Sequence, residues 1–142
     1  MIGVAGFDRQ SRFAVAHRIL ILDDEEQLLR MMKGLLSARR YEVDTASSTR
    51  EFKRQLVEHK YSVAILDLGL SQIDRTDGLD IVSYVRKRSP TTKIIVYTGN
   101  DNPEVQRLAE QLGADLYLVK PGPIRKLGEA VDGFCGEVQD QK

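Results

Sequence analysis

The stretch Tyr61-Ser62-Val63-Ala64-Ile65-Leu66-Asp67 decides how this chain is read, because an apolar run stops there at a carboxylate. A short unbroken apolar run bounded by polar residues suits a strand buried on both faces, as in a parallel sheet. Three other runs have the same form. Arg18-Ile19-Leu20-Ile21-Leu22 ends at Asp23-Asp24. Ile94-Ile95-Val96-Tyr97 ends at Thr98-Gly99, and Leu116-Tyr117-Leu118-Val119 ends at Lys120-Pro121. If these are parallel strands of one sheet, three acids, a hydroxyl and an amine gather along one edge.

Segments of helical spacing separate the runs. Leu28, Met32, Leu35 and Leu36 fall on one face of a helix over about 25–38. Residues 41–46 alternate in polarity and read as a further strand. Ser48-Thr49-Arg50-Glu51 has the form of a capping box, opening a helix that runs through His59 on Phe52 and Leu56. Gly78 precedes a helix with Leu79, Val82 and Val85 inward, which stops before Pro90. Asn102-Pro103 reads as a cap followed by proline at the first helical position, and Gly113 as the residue past the helix end. A last helix carries Ile124, Leu127, Val131, Phe134 and Val138 inward. The alternation predicts an α/β fold with a five-stranded parallel sheet and helices on both faces. Right-handed crossovers put every strand C-terminus on one edge, where such sheets bind ligands. Periodicity leaves the strand order open.

The chain of 142 residues suits one domain over 18–138. Residues 1–17 read as a flexible tail and 139–142 as a short C-terminal tail. Lys plus Arg and Asp plus Glu number 21 each, so the broad basic field of a nucleic-acid binder is absent. Arg86-Lys87-Arg88 falls where a helix ends and reads as favourable charge at its C-terminus. No apolar run approaches the ~18–20 residues of a membrane span, and no signal-peptide pattern opens the chain. The single Cys135 fits a reducing cytosol and reads as a packing residue. His17 and His59 are too few for a metal cluster.

Asp23, Asp24 and Asp67 at strand ends would repel one another strongly without compensation. Mg²⁺ suits such a group, being a hard cation that takes carboxylate, water and phosphate oxygens. Lys120 adds a positive charge, Thr98 a hydroxyl donor, and Gly99 close backbone approach. Each feature alone has an ordinary reading: an Asp as a helix cap, Thr98-Gly99 as a turn, Lys120-Pro121 as an exposed lysine before a turn. Their joint occurrence at successive strand ends is what argues for a carboxylate that receives a phosphoryl group.

Together the motifs Ile-Leu-Ile-Leu-Asp23-Asp24-Glu25, Ala-Ile-Leu-Asp67-Leu, Val96-Tyr97-Thr98-Gly99 and Gly113 through Pro121 resemble the receiver domain of two-component response regulators. The resemblance covers about residues 18–138. It implies the flavodoxin-like (βα)5 sandwich with strand order 2-1-3-4-5. It implies Asp67 as phosphoacceptor, Asp24 as a direct Mg²⁺ ligand, Asp23 acting through water, and the Gly69 carbonyl as a further ligand. Thr98 and Lys120 would hold the phosphoryl group, across a cis Lys120-Pro121 bond, and Tyr117 would be the switch aromatic beside Thr98. A histidine kinase or a phosphotransfer protein would supply the phosphoryl group in the cytoplasm, with no direct nucleic-acid or membrane contact. The last helix and fifth strand form the face that often dimerises in that family.

The chain departs from the family in two places. Ser71 stands where a proline is usual, in a long loop to Asp77 that carries Asp74. Gly122-Pro123 replaces the aromatic usual after the lysine-proline pair. One alternative is a scaffold of receiver fold that signals without phosphorylation. Another is a phosphatase with an aspartyl nucleophile, disfavoured because Gly69 stands where a second acid is needed.

Overall fold

The computed structural model describes residues 16–69 and 78–139, with side chains described as far as residue 136. Among them five strands alternate with five helices: β1 (Arg18–Leu22), α1 (Glu26–Ala38), β2 (Glu42–Ala46), α2 (Thr49–Glu58), β3 (Val63–Leu66), α3 (Leu79–Arg88), β4 (Lys93–Thr98), α4 (Pro103–Leu112), β5 (Leu116–Val119) and α5 (Arg125–Gln139). The strands form one parallel sheet in the order β2-β1-β3-β4-β5. The flavodoxin-like order expected from the resemblance is therefore the one observed. No helix among the described residues is long and apolar enough to cross a membrane.

The pleat sorts the sheet's side chains into two cores. Leu20, Leu22, Ala64, Leu66, Ile94 and Val96 face α2, α3 and α4. Ile19, Ile21, Val63, Ile65, Ile95 and Tyr97 face α1 and α5. Both faces of the central strands are buried, which is why their sequences run apolar without alternation.

Local signals set the helix ends. Ser48 accepts from the Glu51 amide at 3.2 Å. The Glu51 carboxylate accepts from the Ser47 amide, one residue before the expected partner, so the box is offset by one. Asn102 caps α4 by accepting from the Glu104 amide at 2.9 Å. Gly78 opens α3 at φ 75°, where a Cβ would lie 2.5 Å from the Leu68 carbonyl oxygen. That contact is with backbone, which cannot move aside, so only glycine fits.

The inward faces of two helices are shifted from the sequence expectation. In α1 the buried residues are Leu29, Met32 and Leu36, with Leu28 and Leu35 at the margins. In α3 Ile81 is buried with Val82 and Val85, and Leu79 is only partly covered. Leu127, Val131 and Cys135 are the buried residues of α5, with Ile124 and Phe134 packed beside them. Val138 and the loop acids Asp74 and Asp77, with Ser71, lie outside the side chains described. Most of the expected N-terminal tail also lies outside the described residues. The contacts of the sheet reach back to His17, whose carbonyl accepts from the Glu42 amide at 3.0 Å.

Arg86 lies with Lys87 and Arg88 in the last turn of α3, as read from the sequence, and has a further part there. Its guanidinium donates to the carbonyls of Pro90, Thr92 and Gly113 and to the Asp115 carboxylate, at 2.7 to 3.0 Å. Asp115 in turn accepts from the Ile94 amide at 2.8 Å. Arg86 thus ties α3, the start of β4 and the end of α4 together at the sheet's N-terminal edge. Gly113, at φ 125°, leaves it room, since a Cβ there would lie 2.8 Å from the Arg86 Nε. Replacing Arg86 with Met removes four acceptors' partner, and is expected to lower stability by about 2–3 kcal/mol in urea unfolding. Divalent-cation binding at the opposite edge should be unchanged.

Candidate functional site

Backbone bonds carry the sheet one step past its strands and fix the site residues at the C-terminal edge. The Asp23 amide donates to Ala46, the Asp67 amide to Leu22, and the Lys120 amide to Thr98, at 2.8 to 3.1 Å. Asp23, Asp67 and Lys120 therefore leave the sheet from hydrogen-bonded positions rather than from a free loop, which limits their wandering. Loops from β1, β3 and β5 meet here because β1 and β3, and β4 and β5, are neighbours.

The structure brings the three predicted acids together. Carboxylate oxygens of Asp23, Asp24 and Asp67 lie within 4.8 Å of one another. Asp23 is 1% exposed and Asp67 7%, while Asp24 is the most open of the three. Lys120 reaches across from β5. Its Nζ donates to Asp23 Oδ2 at 2.8 Å and to Asp67 Oδ2 at 3.2 Å. The other Asp23 oxygen accepts from the Glu25 amide, and Asp67 Oδ1 accepts from the Gly69 amide, both at 3.0 Å. Both acids are thus oriented through each of their oxygens.

Among the described residues one ammonium stands beside three carboxylates, an excess of negative charge. Burial pushes the Asp23 carboxyl above its ordinary range, and the Asp67 charge adds to this. The hydrogen bonds from Lys120 and the Glu25 amide oppose the rise without cancelling it. Burial pulls the Lys120 ammonium down, yet its bond to Asp23 and the charges of both acids outweigh burial and leave it above its ordinary value. Lys120 is therefore a fixed positive charge, and the acids need more than it provides. Oxygen donors at this separation, all hard and one of them open to solvent, fit a divalent cation.

Thr98 ends β4, fully buried, and its Oγ1 accepts from the Asn100 amide at 3.4 Å. A Cβ on Gly69 would stand 3.7 Å from Asp67 Oδ1 and 4.0 Å from Thr98 Oγ1, so the hydroxyl borders the same space. Tyr117 is buried in β5 and its hydroxyl donates to the Asn100 carbonyl at 2.7 Å. Asn100 is thus bonded on one side to Thr98 and on the other to Tyr117. The Lys120-Pro121 bond is cis. The sequence did not single out Tyr97 or the amides of Glu25 and Gly69. The amides carry no sequence signal beyond their position after an acid at a strand end.

Comparisons with known proteins agree with this fold. The family model of the response regulator receiver domain matches residues 19–132. The alginate biosynthesis transcriptional regulatory protein AlgB of Pseudomonas putida is 33% identical in an alignment of 138 positions that covers 88% of this chain and 30% of that protein. The chain therefore spans under a third of that relative's length. Among solved structures, a CheY-like response regulator receiver domain protein from Methanospirillum hungatei superposes with a TM-score of 0.80 at 28% identity, over 89% of this chain and 98% of that one. A response regulator protein from Burkholderia pseudomallei with a phosphorylated aspartic acid, a calcium ion and citrate gives 0.75 at 26% identity, over 88% and 72% of the two chains.

The charge balance sets opposite expectations for two variants. Asp24→Asn should weaken divalent-cation binding at least tenfold in titration calorimetry. Lys120→Met removes a competing positive charge within about 3 Å of two acids, and should tighten binding roughly threefold to tenfold.

Proposed function

The chain belongs to the response regulator receiver domain family, and from that premise we propose that Asp67 is its phosphoacceptor in a two-component relay. The observation that carries this reading is the pair of contacts on Asp67. One oxygen is held by the Gly69 amide and the other by Lys120, beside two further acids. An Asp67 oxygen attacks phosphorus, and the donor's bond to phosphorus breaks with its electrons leaving on the donor. An acyl phosphate results. Water later attacks the same phosphorus and returns the free carboxylate and phosphate. The donor is a phosphohistidine of a histidine kinase or a phosphotransfer protein. The chain itself acts as a cytoplasmic switch rather than as an enzyme with an outside substrate.

Mg²⁺ is the cation we assign. Asp24 and Asp67 would ligate it directly, with the Gly69 carbonyl, and Asp23 through water. Bound there, it would supply positive charge to the phosphoryl oxygens. Lys120 performs the same service from the other side, as a preorganised ammonium that need not move far. The calcium ion and phosphorylated aspartate of the Burkholderia pseudomallei structure support this assignment by likeness.

Modification of Asp67 would alter the hydroxyl of Thr98, and through Asn100 the ring of Tyr117. Phosphorylation then shifts a two-state surface near β5 and α4, to the extent that the two states bind the phosphoryl group differently.

Incubation with acetyl phosphate and Mg²⁺ tests the proposal by intact-protein mass spectrometry. Wild type should gain one phosphoryl mass and Asp67→Asn none. Absence of the added mass on wild type contradicts it and favours the scaffold alternative, and equal labelling of both contradicts it by placing the phosphoryl group on another residue. Thr98→Val should still be labelled, yet the NMR signals of the Tyr117 ring should no longer respond to labelling.

A further inference from the structure

Lys120 sits at the end of a four-carbon stem, and its charge serves only if the ammonium stays at the sheet edge. The turn that carries it offers little to hold it. Gly122 has no side chain, and Pro123 has no amide hydrogen to donate. Beyond its ion pairs with Asp23 and Asp67, support comes from the neighbouring strand. Tyr97, the residue before Thr98 in β4, is buried against α1 and α5, and faces away from Thr98's layer. Its ring lies under the ammonium, with Lys120 Nζ 5.5 Å from the ring centroid. Its hydroxyl donates to the Gly122 carbonyl at 3.3 Å. One side chain therefore touches both the charged end of Lys120 and the turn two residues beyond it.

We infer that Tyr97 is the positioning residue for Lys120: its ring face holds the ammonium over the acids, and its hydroxyl anchors the turn from β5 into α5. The negative face of an aromatic ring attracts a cation within about 6 Å, more strongly where water is excluded. Lys120 is mostly buried, with 18% of its side chain exposed, so the attraction acts in a largely dry setting. A lysine stem otherwise loses much rotamer freedom when its ammonium binds a phosphoryl oxygen. Holding it beforehand removes that ordering cost from binding. The inference rests on the reading that Lys120 faces the phosphoryl group on Asp67.

The test varies the ring's charge at constant shape. Phenylalanine with increasing fluorination at position 97 keeps the volume and removes the negative face stepwise. The readouts are beryllofluoride affinity in the presence of Mg²⁺, by calorimetry, and the urea midpoint of the free protein. Affinity should fall about threefold to tenfold across the series. The urea midpoint should fall across the series with Lys120 present and stay level in a Lys120→Met background, because the ring then has no ammonium to hold. Tyr97→Phe itself, which loses only the bond to Gly122, should weaken beryllofluoride about twofold to threefold. An affinity that ignores fluorination, or midpoints that fall equally with and without Lys120, would overturn the inference while leaving the phosphoacceptor assignment standing. A folded wild type that binds no beryllofluoride would overturn both.

Discussion

Mutual repulsion among Asp23, Asp24 and Asp67 is the constraint on which the rest of this structure depends. Their oxygens lie within 4.8 Å of one another, two of the three side chains are buried, and among the described residues a single ammonium faces them. Like charges so close and so dry are costly unless something offsets them. The fold meets that cost with rigidity. Backbone bonds hold each acid's own amide or its neighbour, and the cluster forms only because β1 and β3 are adjacent in the strand order. An arrangement of this kind stores unmet demand for positive charge. A hard divalent cation suits that demand.

The two edges of the sheet divide the work. At the N-terminal edge polar groups satisfy one another completely: Arg86 serves three carbonyls and Asp115, and Tyr61 donates to Asp44 at 2.7 Å, which also pairs with Arg18. Another such tie joins Asp132 of α5 to Tyr41 at 2.6 Å and to Arg39. These groups are spent on stability. At the C-terminal edge the groups are only partly compensated, and that imbalance is what ligands can exploit. The sheet, buried on both faces, transmits the rigidity of one edge to the other without sharing its chemistry.

Much of this was legible in the sequence because each signal was local. Apolar runs ending at Asp23, Asp67, Thr98 and Lys120 placed the site, and Ser48, Asn102, Pro103 and Gly113 placed helix ends by their own backbone chemistry. The strand order came from the resemblance, since strand periodicity says nothing about which strand lies beside which. What the residues did not reveal depended on tertiary contact. Leu29 and Ile81 are the buried positions of their apolar stripes, whereas spacing alone allows the stripe's margins equally. Arg86 looked like helix-end charge because its partners lie up to 29 residues away. Tyr97 read as one more apolar residue in a strand, and only its packing shows the hydroxyl meeting Gly122 and the ring meeting Lys120.

Chemical mapping of the modified residue tests the central claim most directly. Borohydride reduces an aspartyl phosphate to homoserine, so peptide sequencing after treatment with acetyl phosphate, Mg²⁺ and borohydride reports the site itself. The account predicts homoserine at position 67 and aspartate retained at 23 and 24. Homoserine at either of those positions, or at none, would contradict it.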